Sequence, residues 1–325
     1  MSRHSLGAYR IVLMMRSERT LLVEGETDKM VLQRLMLEVD GGAARPNIDT
    51  PSLLRDSRLS GLGNKAQVEV VAAEVGQSDG FLVLVDREWE QFRQDQLQLE
   101  DLDALLQPAG GIVKTYGHSI ENYFFDAEGF KIFLSRQFAP HLTAGTLRLV
   151  QERFEDMCRL ALAYSLAARE LQVITRIEEL LGRRDLTVSA ERIELAPGFE
   201  ARLISRGVTA EVAAQFTEAV ARYGQAVHDA QVTATTLKWA SHGHLGSHVL
   251  WTCIAKVLEM LGIEQSACEQ VERGMRPEKL RHGADVLASG DAEQRPLNWL
   301  VRWLYRLDDI GVTDEAGTVA AQATG

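Results

Sequence analysis

The chain has 325 residues, 35 basic against 46 acidic side chains, a net charge of −11 and 46% apolar residues. This is enough for one large or two ordinary domains with buried cores, and it lacks the overall basic footprint usual in nucleic-acid enzymes. Three cysteines (Cys158, Cys253, Cys268) without paired ligand spacing argue against a disulfide framework and for a reduced cytoplasm, and the absence of a signal-peptide pattern or an apolar run near 20 residues argues against membrane insertion.

The first informative segment is Leu21-Leu22-Val23-Glu24-Gly25-Glu26-Thr27-Asp28. Three apolar residues predict a buried strand, Gly25 is expected to relax the turn, and Asp28 falls in the first turn of a helix running through Met36. Glu24 thus lies at the carboxyl end of a strand, where open α/β sheets place ligands. Gly61-Leu62-Gly63-Asn64-Lys65 precedes a helical pattern through Val75 and offers amides and Lys65 to a phosphate, or simply a helix cap. It lacks the spacing of a nucleotide-binding P-loop, and no other segment supplies one, so an ATPase is not expected. Phe81 to Val85 has the continuous apolar character of a parallel strand buried on both faces, and Asp86-Arg87-Glu88 follows directly. In extended backbone Asp86 and Glu88 share one side. A third short strand, Gly111 to Thr115 with Lys114, leads into His118-Ser119-Ile120-Glu121-Asn122-Tyr123.

Val-Glu-Gly-x-x-Asp, a strand ending in Asp-x-Glu, and His-Ser-Ile-Glu-Asn-Tyr together resemble the TOPRIM fold of topoisomerases, primases and OLD-type nucleases. Within it they resemble the compact nucleases of bacterial defence, such as the effector subunit of the PARIS anti-phage system. The resemblance spans about residues 15–135, and Asp86-x-Glu88 stands where the family has Asp-x-Asp. It implies Mg²⁺ or Mn²⁺ held by Asp86, Glu88 and Glu121, with Glu24 as ligand or general acid/base. Asp28, Lys65, Lys114, His118 and His244 are then expected behind these ligands or against substrate. Crowded carboxylates repel, so a site without a cation raises their pKa values.

After residue 140 helical spacing dominates: Leu147 to Ala168, Leu171 to Leu181, Ala210 to Tyr223 and His248 to Leu261. His242, His244 and His248 offer transition-metal spacing without an adjacent acidic or cysteine ligand; the alternative is a structural or substrate-facing Gly243-His244. Trp299, Trp303 and Leu307 form one helical face, expected in the core, with docking or base stacking as the alternative. Arg55/Arg58/Lys65, Arg183/Arg184 and Arg273/Arg276/Lys279/Arg281/His282 are candidate nucleic-acid patches or ordinary solvated surface.

The expectation is an α/β protein: a TOPRIM-like, mostly parallel sheet flanked by helices over residues 1–140, a mainly α-helical region over 141–313, and a flexible tail over 314–325. The expected activity is divalent-metal-dependent hydrolysis of phosphodiester bonds in RNA, tRNA among the candidates, or DNA. The resemblance further implies the toxic effector of an anti-phage system, cytoplasmic, restrained by a separate ABC-type ATPase and compatible with a homodimer. The alternatives are a partner-independent DNA repair nuclease and a catalytically inactive TOPRIM module that binds nucleic acid or regulates an ATPase.

Overall fold

In the computed structural model, residues 4–37, 46–76, 78–102, 110–289 and 297–307 are described. The expected tail over 314–325 lies outside them.

The N-terminal part runs α1 (Leu6–Met15), β1 (Thr20–Val23), α2 (Glu26–Met36), β2 (Asn47–Asp49), α3 (Asn64–Val75), β3 (Phe81–Val85), a small hairpin of β4 (Phe92–Arg93) and β5 (Gln98–Leu99), then β6 (Ile112–Lys114). The main sheet has the order β2-β1-β3-β6 and is parallel throughout. The alternation of side chains along β1 and β3 decides its two layers. Leu21, Val23, Leu82 and Leu84 face Val31, Leu32 and Leu35 of α2, whereas Leu22, Phe81, Val83 and Val85 face Leu6 and Tyr9 of α1 and Val68, Val71 and Ala72 of α3. Every residue of β1 and β3 is buried. Each such apolar side chain contributes about 1.5–3 kcal/mol, so charges are admitted only where the strands end.

The chain continues through α4 (Ala127–Phe138), α5 (Ala144–Glu152), α6 (Phe154–Glu170), α7 (Ile174–Ile177), the antiparallel pair β7 (Leu186–Val188) and β8 (Ile193–Leu195), α8 (Phe199–Ser205), α9 (Ala210–Asp229), α10 (Ala234–Ala240), α11 (Gly243–Met260), α12 (Gln265–Arg273), α13 (Arg276–Ser289) and α14 (Leu297–Leu304). The continuous periodicity from Leu147 to Ala168 is split at Arg153 into α5 and α6, and Leu171 to Leu181 yields only the single turn of α7. Gln172 and Glu179, at φ 55° and 58°, leave the right-handed region on either side of it.

The expected boundary at residue 140 does not separate the packing. Ala284 and Leu287 of α13 and Leu297, Leu300, Val301, Trp303 and Leu304 of α14 join Val31, Leu32 and Leu35 in one core under the sheet. The tryptophan face of α14 is therefore core, and Arg19 lies 5.0 Å over the Trp303 ring. No described helix is long and apolar enough to cross a membrane.

Candidate active site

The sheet order puts β1 and β3 side by side, while the chain leaves β1 through α2 toward β2 on one side and leaves β3 through the β4–β5 hairpin toward β6 on the other. This is a topological switch point, which opens a crevice at the carboxyl ends of the strands. Glu24 follows β1 and Asp86 follows β3, and the backbone N–H of Asp86 donates to Glu24 Oε1 at 2.8 Å. Asp28 enters from the first turn of α2, where its Oδ2 accepts from the Gly25 N–H at 2.8 Å. Gly25 itself is in ordinary extended backbone at φ −150°, and a Cβ there would meet only Asp28 Oδ2 at 3.7 Å, so the turn does not require a glycine.

Glu121 comes from the segment after β6, on a 3₁₀ turn over Ile120–Phe124. Ser119 caps that turn: its N–H donates to Asn122 Oδ1 at 3.0 Å and its Oγ donates to Glu121 Oε2 at 2.7 Å. Asn122, fully buried, donates from Nδ2 to the carbonyls of Lys238 and Ser241 at 2.8 and 2.9 Å. The amide thus ties the acidic turn to the junction of α10 and α11. That junction is close: a Cβ on Gly243 would sit 1.7 Å from Ser119 Oγ and 3.1 Å from Glu121 Oε2. Only glycine lets the first turn of α11 back onto Glu121, and the positive end of the helix dipole then faces the carboxylate. Gly243→Ala is expected to cost about 1–3 kcal/mol and to displace Glu121. The double variant Gly243→Ala/Ser119→Ala should regain part of the lost Tm, because the nearest clashing oxygen is gone; equal melting of single and double variants in thermal denaturation would contradict this contact.

The electrostatics show that the acidic side chains share one environment. Burial first, and then the charges of Asp28, Glu24 and Glu121, push the Asp86 carboxyl well above the usual carboxylate range. Burial, Glu121 and Glu24 raise Asp28 to about 7, and burial also raises Glu24. The group is thus Glu24, Asp28, Asp86 and Glu121. Glu88, expected as a ligand, stands at its edge, where its charge adds to burial in raising the Glu24 carboxyl. The strand ends at Val85, and Glu88 adopts φ 56° with its N–H donating to the His118 carbonyl at 2.7 Å. Its side chain is half exposed and pairs with Lys65 at 3.4 Å. The extended geometry that would align it with Asp86 is absent, whereas the charge of Asp28 acts directly on Asp86.

Lys65, in the first turn of α3, donates to the Asp86 carbonyl at 2.9 Å and lies 3.7 Å from Glu90. Lys114 also pairs with Glu90. Both lysines therefore stand on the β3 and β6 side of the crevice. His118 is buried between the edge of Trp89 at 4.7 Å and the ring of His242 at 4.5 Å, with neither ring nitrogen hydrogen-bonded among the described residues. Burial drives its pKa well below the usual value. The three later histidines disperse: His242 caps α11 by accepting from the Leu245 N–H at 3.4 Å, His244 places Nδ1 3.3 Å from Glu121 Oε1 and is half exposed, and His248 reaches the Leu181 carbonyl at 2.8 Å. They make no shared metal site.

Sequence reasoning passed over Arg87. Among the described residues it is the largest fully buried side chain, donating from Nε to the Tyr116 carbonyl at 2.8 Å, from Nη2 to the Trp239 carbonyl at 2.7 Å, and from Nη1 to the Glu90 carbonyl. Burial lowers its pKa to about 10, so it remains a cation at neutral pH. Nothing in Asp86-Arg87-Glu88 marks the middle residue as internal, because two of the three carbonyls that hold it, those of Tyr116 and Trp239, come from distant segments.

Carboxylates without thiolates are the donor set of a hard divalent cation, so the chemistry of the four acidic groups fits Mg²⁺ or Mn²⁺. Among the described residues, no three acidic, histidine or cysteine side chains are arranged to hold a metal ion as they stand. Glu24, for example, turns Oε1 onto a backbone amide. Holding a cation would therefore require side-chain rotation within the group. Compared with protein-family models and with curated proteins, the chain matches none.

In the metal-free protein the raised carboxyl pKa values have a defined sign. Between the unfolded value, about 4, and the native value, the native state holds a proton that the unfolded state has lost, so this contribution to stability is complete below pH 4 and disappears as pH rises through about 7 for Asp28. His118, His242 and His248, whose pKa values are lowered, act oppositely up to about pH 6.5. The difference in Tm between Asp28→Asn and the native sequence isolates the contribution of this carboxyl. It should be smaller at pH 5 than at pH 8, growing in favour of the variant as pH rises, measured by circular dichroism in EDTA; a constant difference would show that Asp28 titrates normally.

Proposed function

We infer that this chain is a TOPRIM-like nuclease that hydrolyses phosphodiester bonds with Mg²⁺ or Mn²⁺. The observation that carries the reading is the convergence of Glu24, Asp28, Asp86 and Glu121, from three strand exits, into one group whose mutual repulsion and burial call for a cation. These four residues would hold the ion, which when bound supplies charge neutralisation and Lewis acidity at the phosphoryl oxygens. Glu24 serves as a ligand or as general acid/base. Lys65 presents a positive charge at the same strand exit. Ser119 and Asn122 orient Glu121, and Arg87 fixes the loop that carries Asp86.

The substrate is RNA, tRNA included, or DNA. The biological setting that fits the motif resemblance is a cytoplasmic anti-phage effector, toxic when released from an ABC-type ATPase partner. Incubation of purified protein with end-labelled tRNA and DNA in Mg²⁺ or Mn²⁺ tests the chemistry, with cleavage abolished by EDTA; intact substrates under all these conditions would refute it. One observation favours a second reading, a catalytically inactive nucleic-acid-binding module: no described trio is already in metal-holding geometry. The same assay separates the two.

A further inference from the structure

A cavity of about 230 Å³ adjoins the acidic group, and Glu121 and His244 form part of its wall. It lies among α4, α11 and α13, and two partly buried rings line it, Phe124 and Trp251. Both rings are held in place. Trp251 packs on Phe130 and Phe133 at 4.5 and 5.1 Å between centroids, with Lys279 Nζ 4.4 Å over its ring. Phe124 lies against the backbone of α13 so closely that a Cβ on Gly283 would be 2.6 Å from its Cγ. The rim combines acceptors, Glu178 and Glu179, with the donor Arg273.

We propose that this cavity seats one unpaired nucleobase of a single-stranded or locally opened nucleic acid, stacked on the aromatic wall while the adjoining phosphodiester lies at Glu121 and the acidic group. The proposal rests on the nuclease reading for the phosphodiester, and on the cavity alone for the base. Three features select this occupant. The volume is below the roughly 300–1,000 Å³ of pockets for drug-sized ligands, which suits a single ring system rather than a whole nucleotide. A phosphate inside it would face Glu121, Glu178, Glu179 and Glu272 against Arg273 and Lys279, and the excess of like charge directs the anionic part of a ligand elsewhere. A purely apolar ligand would leave the polar rim unmatched, whereas a base presents donors and acceptors on its edge and a π-face to the rings. Bases paired in a duplex are not available to such a pocket, so the preferred substrate is a loop, an overhang or a single strand.

The test measures binding separately from cleavage. Full-length protein in EDTA is titrated with a short fluorescent RNA or DNA single strand, either intact or with one abasic position moved along it. One abasic position is expected to weaken binding about tenfold, the scale of one lost base–aromatic stack, and the others to change it little. Ser247→Phe, which projects a ring into the cavity from α11, should weaken the intact strand by the same factor and erase the abasic dependence. Equal binding of every abasic strand overturns the proposal without any variant, and so does discrimination by a folded Ser247→Phe protein equal to the native one. If Ser247→Phe fails to fold, the abasic series decides. Repeating the series in Mn²⁺ separates the two readings: cleavage that ignores the abasic position removes the base pocket and keeps the nuclease, whereas position-dependent binding without cleavage keeps the pocket and removes the nuclease.

Discussion

Asp86→Asn should reduce phosphodiester cleavage about 10³-fold or more while making the metal-free protein more stable at pH 8. Asparagine has nearly the same shape and keeps one carbonyl oxygen, but it removes a charge that burial and the neighbouring Asp28, Glu24 and Glu121 all disfavour. Relief of that repulsion is worth on the order of 1–3 kcal/mol. The opposite signs are the diagnostic feature. A residue with a purely structural role would lose stability and activity together, whereas one kept for its charge gains the first and loses the second. Glu121→Gln should behave alike in activity. Its stability gain should be smaller, because Glu121 Oε2 accepts from Ser119 Oγ and Oε1 faces His244. Cleavage rates and thermal melts in EDTA check both; native-level cleavage by Asp86→Asn would remove Asp86 from the chemistry.

Arg87→Ala should cost about 3–5 kcal/mol, enough to unfold a marginally stable domain. The guanidinium has no exposed surface and satisfies the carbonyls of Tyr116, Trp239 and Glu90, which belong to three separate segments. Truncation leaves those acceptors buried without donors, at about 1–3 kcal/mol each before relaxation, and adds a void. Arg87→Lys should recover only part of the loss, because a single ammonium cannot present the planar fork that reaches three carbonyls. Urea titration followed by circular dichroism gives the measurement. A loss below about 1 kcal/mol for Arg87→Ala would mean that water replaces the guanidinium readily.

The acidic site was largely legible because buried parallel strands confine charge to their ends. Glu24, Asp86 and Glu121 each follow a short apolar run, and the parallel sheet brings those ends to one edge. Asp28 was legible as a helix-start residue but not as a full member of the group, since its distance to Asp86 depends on how α2 leaves the sheet. Glu88 went the other way. An Asp-x-Glu spacing aligns two side chains only in extended backbone, and the inward turn of Arg87 breaks that extension, leaving Glu88 at φ 56° beside Lys65. The histidine run shows the same limit. Three histidines within seven residues suggest a common ligand, but α11 begins between His242 and His244, so one becomes its cap while the other two lie on the helix and meet different partners.

Local order came from the amino-acid pattern alone: an apolar, fully buried β1 and β3, the start of α2 and α3, and the acidic residues at strand exits. These depend on hydrophobic periodicity and capping, which act over a few residues. Tertiary structure decided the strand order that puts β1 next to β3, the return of α13 and α14 to the core beneath α2, the carbonyl clamp on Arg87 and the approach of Gly243 to Ser119. Each of those joins residues tens to hundreds of positions apart. Such contacts form only when burial of the whole chain repays the entropy of closing the loops between them, and no local pattern encodes which distant carbonyl or carboxylate will be the neighbour.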